Sequence, residues 1–75
     1  MNPLLLAAIT ELENVNSGEI FLVKDLFKGY EWNRFERSAR LTLGILFVNH
    51  VRNNPSINLT ILDNPLSHQQ KYRKN

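Results

Sequence analysis

Ser38–Asn54, SARLTLGILFVNHVRNN, is the most apolar run in the chain and reads as a single helix. Ser38 is its candidate N-cap, because a hydroxyl there can accept from a free N–H of the first turn. Asn53-Asn54-Pro55 is its stop signal. Proline disfavours a helical residue before it, and asparagine tolerates a left-handed closing turn. At 100° per residue, Leu43, Phe47, Val51, Gly44, Val48, Leu41 and Ile45 fill an arc of roughly 200°. An arc that wide predicts a central helix packed on at least two sides. Gly44 lies inside it and costs about 1 kcal/mol against alanine, so close approach of another backbone is expected there. Thr42, Leu46, Asn49, His50 and Asn53 occupy the remaining face. Leu46 is out of place on that polar side. It is either a scattered surface leucine or, with Thr42 and His50, a contact for a partner.

Upstream, Pro3 suits the first turn of a helix capped by Asn2. Leu5, Ala8, Ile9 and Leu12 then recur at helical spacing to about Asn14. Asn14–Gly18 is a turn in which Gly18 takes positive φ. Glu19–Val23 is a short strand with Ile20 and Leu22 on one face and Phe21 and Val23 on the other. Both faces are apolar, so cover on both sides is expected. Lys24–Phe27 is one turn. Trp32 and Phe35, three apart, share a helix face. They either anchor the core or offer bases a stacking platform.

Downstream of Pro55, Ile57, Leu59 and Ile61 alternate with Asn58 and Thr60, the pattern of a half-buried strand. Asp63–Leu66 is a turn. The tail from Ser67 returns as a strand with His68, Gln70, Tyr72 and Lys74 on one side and Gln69, Lys71 and Arg73 on the other. Residues 57–73 thus form a hairpin, with 74–75 a frayed end. The order helix, strand, short helix, long helix, hairpin is that of an α+β, winged-helix-like domain spanning residues 1–75. In such domains the third helix commonly enters the DNA major groove and the wing touches the backbone.

The runs GEIFLVKDLFKGYEW (18–32), RLTLGILFVNHV (40–51) and QQKYRK (69–74) add a resemblance. KDLF at 24–27, GYEW at 29–32, LTLG at 41–44 and QxxY at 69–72 are its marks. The chain resembles, over Gly18–Lys74, a family of small bacterial domains of unknown function found on phages and other mobile elements, sometimes beside replication genes. The resemblance implies a winged-helix-like fold and a mobile-element setting. It carries over no functional residue.

Composition narrows the function classes. Seventy-five residues, 43% of them hydrophobic, can build one small core. There is no cysteine, hence no disulfide framework and no thiolate metal site, which fits a reducing, cytoplasmic setting. No apolar run reaches the roughly 18 residues that span a bilayer. MNPLLLAAIT lacks a basic n-region and runs into Glu11 and Glu13, so it is not read as a secretory signal. His50 and His68 have no second ligand at metal spacing. Ser38 and Ser67 lack a nucleophile elbow, and the three glycines are too dispersed to cradle phosphate. No catalytic residue, metal, cofactor, membrane contact or small-molecule substrate is expected.

Charge is uneven. Residues 1–27 carry four carboxylates and one lysine, whereas residues 28–75 carry eight Lys or Arg and three carboxylates. Arg34, Arg37 and Arg40 recur every three residues. They either form a solvated face that pairs with Glu31 and Glu36, or an edge that holds phosphates. Together with Arg52 and the tail cations Lys71, Arg73 and Lys74, they are candidates for DNA backbone contacts. Thr42, Asn49 and Asn53 can hydrogen-bond to bases, but no arginine or lysine stands among them to make the commonest guanine contact. The expectation is an accessory protein in DNA transactions that grips backbone and docks a protein partner. The alternative is a protein adaptor or inhibitor that binds no nucleic acid.

Overall fold

Asn2 opens the chain's first helix: its Oδ1 accepts from the N–H groups of Leu4 (2.9 Å) and Leu5 (3.3 Å), two of the donors that a helix start leaves unpaired. The computed structural model describes residues 1–62 and 69–75. Helix α1 spans Pro3–Glu11 and tightens into a 3₁₀ turn at Leu12–Asn14. Gly18, at φ +88°, turns the chain into strand β1, Ile20–Leu22. A 3₁₀ turn at Val23–Leu26 follows, tied by the Asp25 carboxylate accepting from the Leu22 N–H at 2.9 Å. Helix α2, Gly29–Arg34, and the long helix α3, Arg37–Asn53, come next. Strands β2, Leu59–Leu62, and β3, Lys71–Lys74, complete the described fold. The expected turn at Asp63–Leu66, and with it Ser67 and His68, lies outside the described residues.

The sheet is antiparallel with order β1-β3-β2. Phe21 and Ile61 both face Tyr72, while Leu22 and Leu62 both face Lys71. The last strand in sequence is therefore the central one, as in a winged-helix arrangement. Three helices and a three-stranded antiparallel sheet make the domain α+β and winged-helix-like.

One core joins the layers: Leu5 and Ala8 from α1, Leu12 and Leu26 from the two 3₁₀ turns, Phe21 from β1, Leu43, Phe47 and Val51 from α3, and Tyr72 from β3. Tyr72 stacks on Phe21 at 5.8 Å and meets Phe47 edge-on at 4.9 Å. A second aromatic group seats α2: Phe27, Trp32 and Phe35 lie 5.3–5.9 Å apart pairwise. Trp32 is thus a packing residue, held edge-on by Phe35.

Several sequence expectations need correction. Helix α3 starts early, at Arg37; its N-cap is Glu36, two residues before Ser38, and makes no side-chain capping bond. The left-handed residue is not Asn54 but Asn58, at φ 59°, after a 3₁₀ turn at Pro55–Ile57. That turn removes Ile57 from the strand. Only Leu43, Phe47 and Val51 of the apolar arc are buried, whereas Leu41 and Ile45 are 57% and 62% exposed. Leu46 packs against the core instead. The helix is thus turned roughly a quarter-turn from where its apolar arc alone would set it. Gly44 has no backbone pressed against it: a Cβ there would meet nothing within 4 Å. The outer face of β1 is uncovered, with Ile20 60% exposed. The chain end is not frayed: Lys74 N–H donates to Glu19 O, Asn75 N–H donates to Asn58 O, and Thr60 Oγ1 donates to the Asn75 side chain.

Candidate binding surfaces

The exposed half of α3 has consequences for the arginines. Phe35 (ψ 138°) and Glu36 (ψ 153°) are extended, so the three-residue periodicity that linked Arg34 to Arg37 and Arg40 is broken there. Arg34 stays on α2, with its guanidinium 4.9 Å from the centre of the Tyr30 ring. Arg37 and Arg40 move onto α3, where they join Arg52 along a cleft.

That cleft holds about 630 Å³ and runs along one side of α3. Its apolar floor is Leu41, Gly44, Ile45 and Val48; Leu22, Val23, Trp32 and Tyr72 also line it. Its cations are Lys24, Arg37, Arg40 and Arg52. No carboxylate lines it among the described residues. Carboxylates gather instead at a separate hollow of about 460 Å³, where Glu11, Asp25 and Glu31 stand beside a single cation, Lys28. Arg40 leans over Trp32, 6.0 Å from the ring centre, and its Nε is buried without a hydrogen-bond partner among the described residues. Burying an N–H without an acceptor costs about 1–3 kcal/mol. Arg52 also acts on Tyr72. Burial pushes the Tyr72 hydroxyl up from 10.0 to about 12, and the nearby guanidinium pulls the other way.

The tail cations separate from this group and from one another. Tyr72 points into the core, so Lys71 and Arg73 stand exposed on the opposite face of β3. Their cross-strand neighbours carry no charge: Leu22 and Leu62 flank Lys71, and Ile20 and Thr60 flank Arg73. Lys74 is half-buried, and its Nζ donates to the Leu12 carbonyl at 2.7 Å. It closes the end of α1 onto the sheet.

The expected partner set also divides. Of Thr42, Leu46 and His50, only Thr42 is exposed on α3, beside the exposed base-contact candidates Asn49 and Asn53. His50 is half-buried, with its Nδ1 3.4 Å from the Asn54 side-chain nitrogen, and Leu46 belongs to the core margin. The residues that sequence reasoning missed are Leu41, Gly44, Ile45 and Val48. They were assigned to the interior because an apolar arc says nothing by itself about which of its edges is covered. Among the described residues no group of three or more His, Cys, Asp or Glu is placed to hold a metal ion, and no helix is long and apolar enough to cross a membrane.

Comparison with curated proteins and with solved structures returned no match. Residues 7–74, which include both the cleft and the outer face of β3, match the model of a domain of unknown function, DUF1413, and the chain belongs to that family.

Proposed function

We propose that this protein is a non-enzymatic accessory module in DNA transactions, one that grips nucleic-acid backbone on its sheet and docks a protein partner on α3. The observation that carries the reading is the placement of Lys71 and Arg73. They are neighbours on the outer face of the central strand, and only Ile20, Leu22, Thr60 and Leu62 oppose them across the two ladders. Cross-strand carboxylates would stabilise such cations; among the described residues none opposes them, which leaves both charges for a polyanion. A basic wing strand that touches phosphate positions a protein on DNA without reading sequence. The lack of arginine or lysine beside Thr42, Asn49 and Asn53 fits contact of that kind. A phage or mobile-element setting, implied by KDLF, GYEW, LTLG and QxxY, belongs to this reading as well.

The test is fluorescence polarisation with a duplex and a single-stranded oligonucleotide at two salt concentrations. Binding should weaken steeply with salt, because each phosphate contact releases counterions. K71A/R73A should flatten the slope of log K against log salt by about 2. Absence of binding at low salt removes the DNA half of the proposal. A second reading, an adaptor that binds no nucleic acid, is favoured by the solvent-facing Leu41 and Ile45 on α3.

A further inference from the structure

The partner-docking half of the reading above leaves open what the α3 cleft binds. We infer that the cleft receives an acidic amphipathic helix of a partner protein, its apolar stripe on Leu41, Gly44, Ile45 and Val48 and its carboxylates on Lys24, Arg37, Arg40 and Arg52. The geometry of the floor and the charge around it converge on this occupant.

The floor residues recur at three and four along α3, the spacing that a helix laid in a groove meets with its own i, i+3, i+4 and i+7 anchors. Leu41 and Ile45 are more than half exposed in mid-helix, and a patch of that kind rimmed by polar groups marks an interaction site. Gly44 has open space where a side chain would stand, so the floor is lowest at its middle and a bulky anchor can enter.

Charge selects the partner's sign. Lys24, Arg37, Arg40 and Arg52 surround the floor with no carboxylate between them among the described residues, while Glu11, Asp25 and Glu31 line a different hollow. The buried Arg40 Nε lacks an acceptor, and a partner carboxylate could supply one by charge-assisted hydrogen bonding. Phosphate backbone would satisfy the cations but not the floor, since nothing polar on Leu41, Gly44, Ile45 or Val48 faces a base.

The experiment uses a displayed library of random peptides about 16 residues long, close to the length of helix that would lie along α3 at 1.5 Å per residue. The library is panned on the full chain and counter-selected on I45E, and K71A/R73A is panned in parallel. Ile45 is exposed, so I45E keeps the fold, which circular dichroism checks; L41E serves as a second blocking variant. The expected result is enrichment of peptides with leucine or aromatic residues at helical spacing among Glu and Asp. Their binding should fall at least tenfold on I45E and L41E, fall severalfold on R40Q, weaken with salt, and persist on K71A/R73A. Three results would overturn the inference: no enrichment over I45E, enrichment of neutral or basic peptides, or displacement of the peptides by an oligonucleotide. Oligonucleotide binding and its loss on K71A/R73A are read separately, so failure of the cleft and failure of the sheet face can be told apart.

Discussion

The ring of Phe47 meets the ring of Tyr72 edge-on, with centroids 4.9 Å apart and planes at 78°. Both side chains are almost fully buried. This contact fastens the middle of α3 to the central strand, and Phe21 extends it by stacking on the other side of Tyr72. Removing Phe47 takes away both the buried area and an aromatic pair. F47A should therefore lose about 3–5 kcal/mol, a large share of the stability of a domain this small. Urea unfolding followed by Trp32 fluorescence measures it. A wild-type midpoint for F47A would show that α3 does not pack on β3.

Tyr72 also makes stability depend on alkaline pH. Its hydroxyl is raised from 10.0 to about 12, chiefly by burial. The folded chain thus holds this proton more tightly than the unfolded chain does. Its contribution is complete below pH 10 and is lost as pH rises from 10 to about 12. Y72F should lack this component. Paired melts of the wild type and Y72F from pH 8 to 12 would reveal it as a difference between the two curves. Parallel curves would place the hydroxyl in water.

Gly44 faces open space, so G44A should gain helix propensity without a clash. The expected stabilisation is about 1 kcal/mol, or a rise in Tm of roughly 4–8 °C for a chain of this size. A drop in Tm would mean that another segment covers α3 at this point.

Lys74 and Lys71 lie three residues apart on one strand, yet they should behave oppositely. Lys74 Nζ donates to the Leu12 carbonyl at 2.7 Å, so K74M should destabilise by about 1–2 kcal/mol while leaving oligonucleotide affinity unchanged. K71A should do the reverse. A chemical melt and a polarisation titration of each variant separate the two effects. Equal loss of affinity in both would make Lys74 part of the binding surface.

How much of this could be read in the sequence depends on the element. The Asn2 cap, the positive φ of Gly18, a strand within the expected Glu19–Val23, shortened to Ile20–Leu22 because Val23 opens a 3₁₀ turn, and the alternation that buries Tyr72 while exposing Lys71 and Arg73 are local signals. The orientation of α3 is not local. Its apolar arc is broader than the core it serves, and contacts with α1 and β3 choose the edge bearing Leu43, Phe47 and Leu46. Leu41 and Ile45 look like interior residues for the same reason that they suit a docking face. The split of Arg34 from Arg37 and Arg40 turns on two extended residues, Phe35 and Glu36, which carry no proline or glycine to announce them. The role of Lys74 rests on a carbonyl distant in sequence, which no pattern encodes.

The proposal of two separate surfaces is most directly tested by amide chemical-shift mapping of the labelled protein during titration with a short duplex. Shifts should concentrate at Lys71 and Arg73 and at their ladder neighbours Ile20, Leu22, Thr60 and Leu62, with Leu41–Val48 left in place. Shifts confined to Leu41–Val48, or none at low salt, would contradict it.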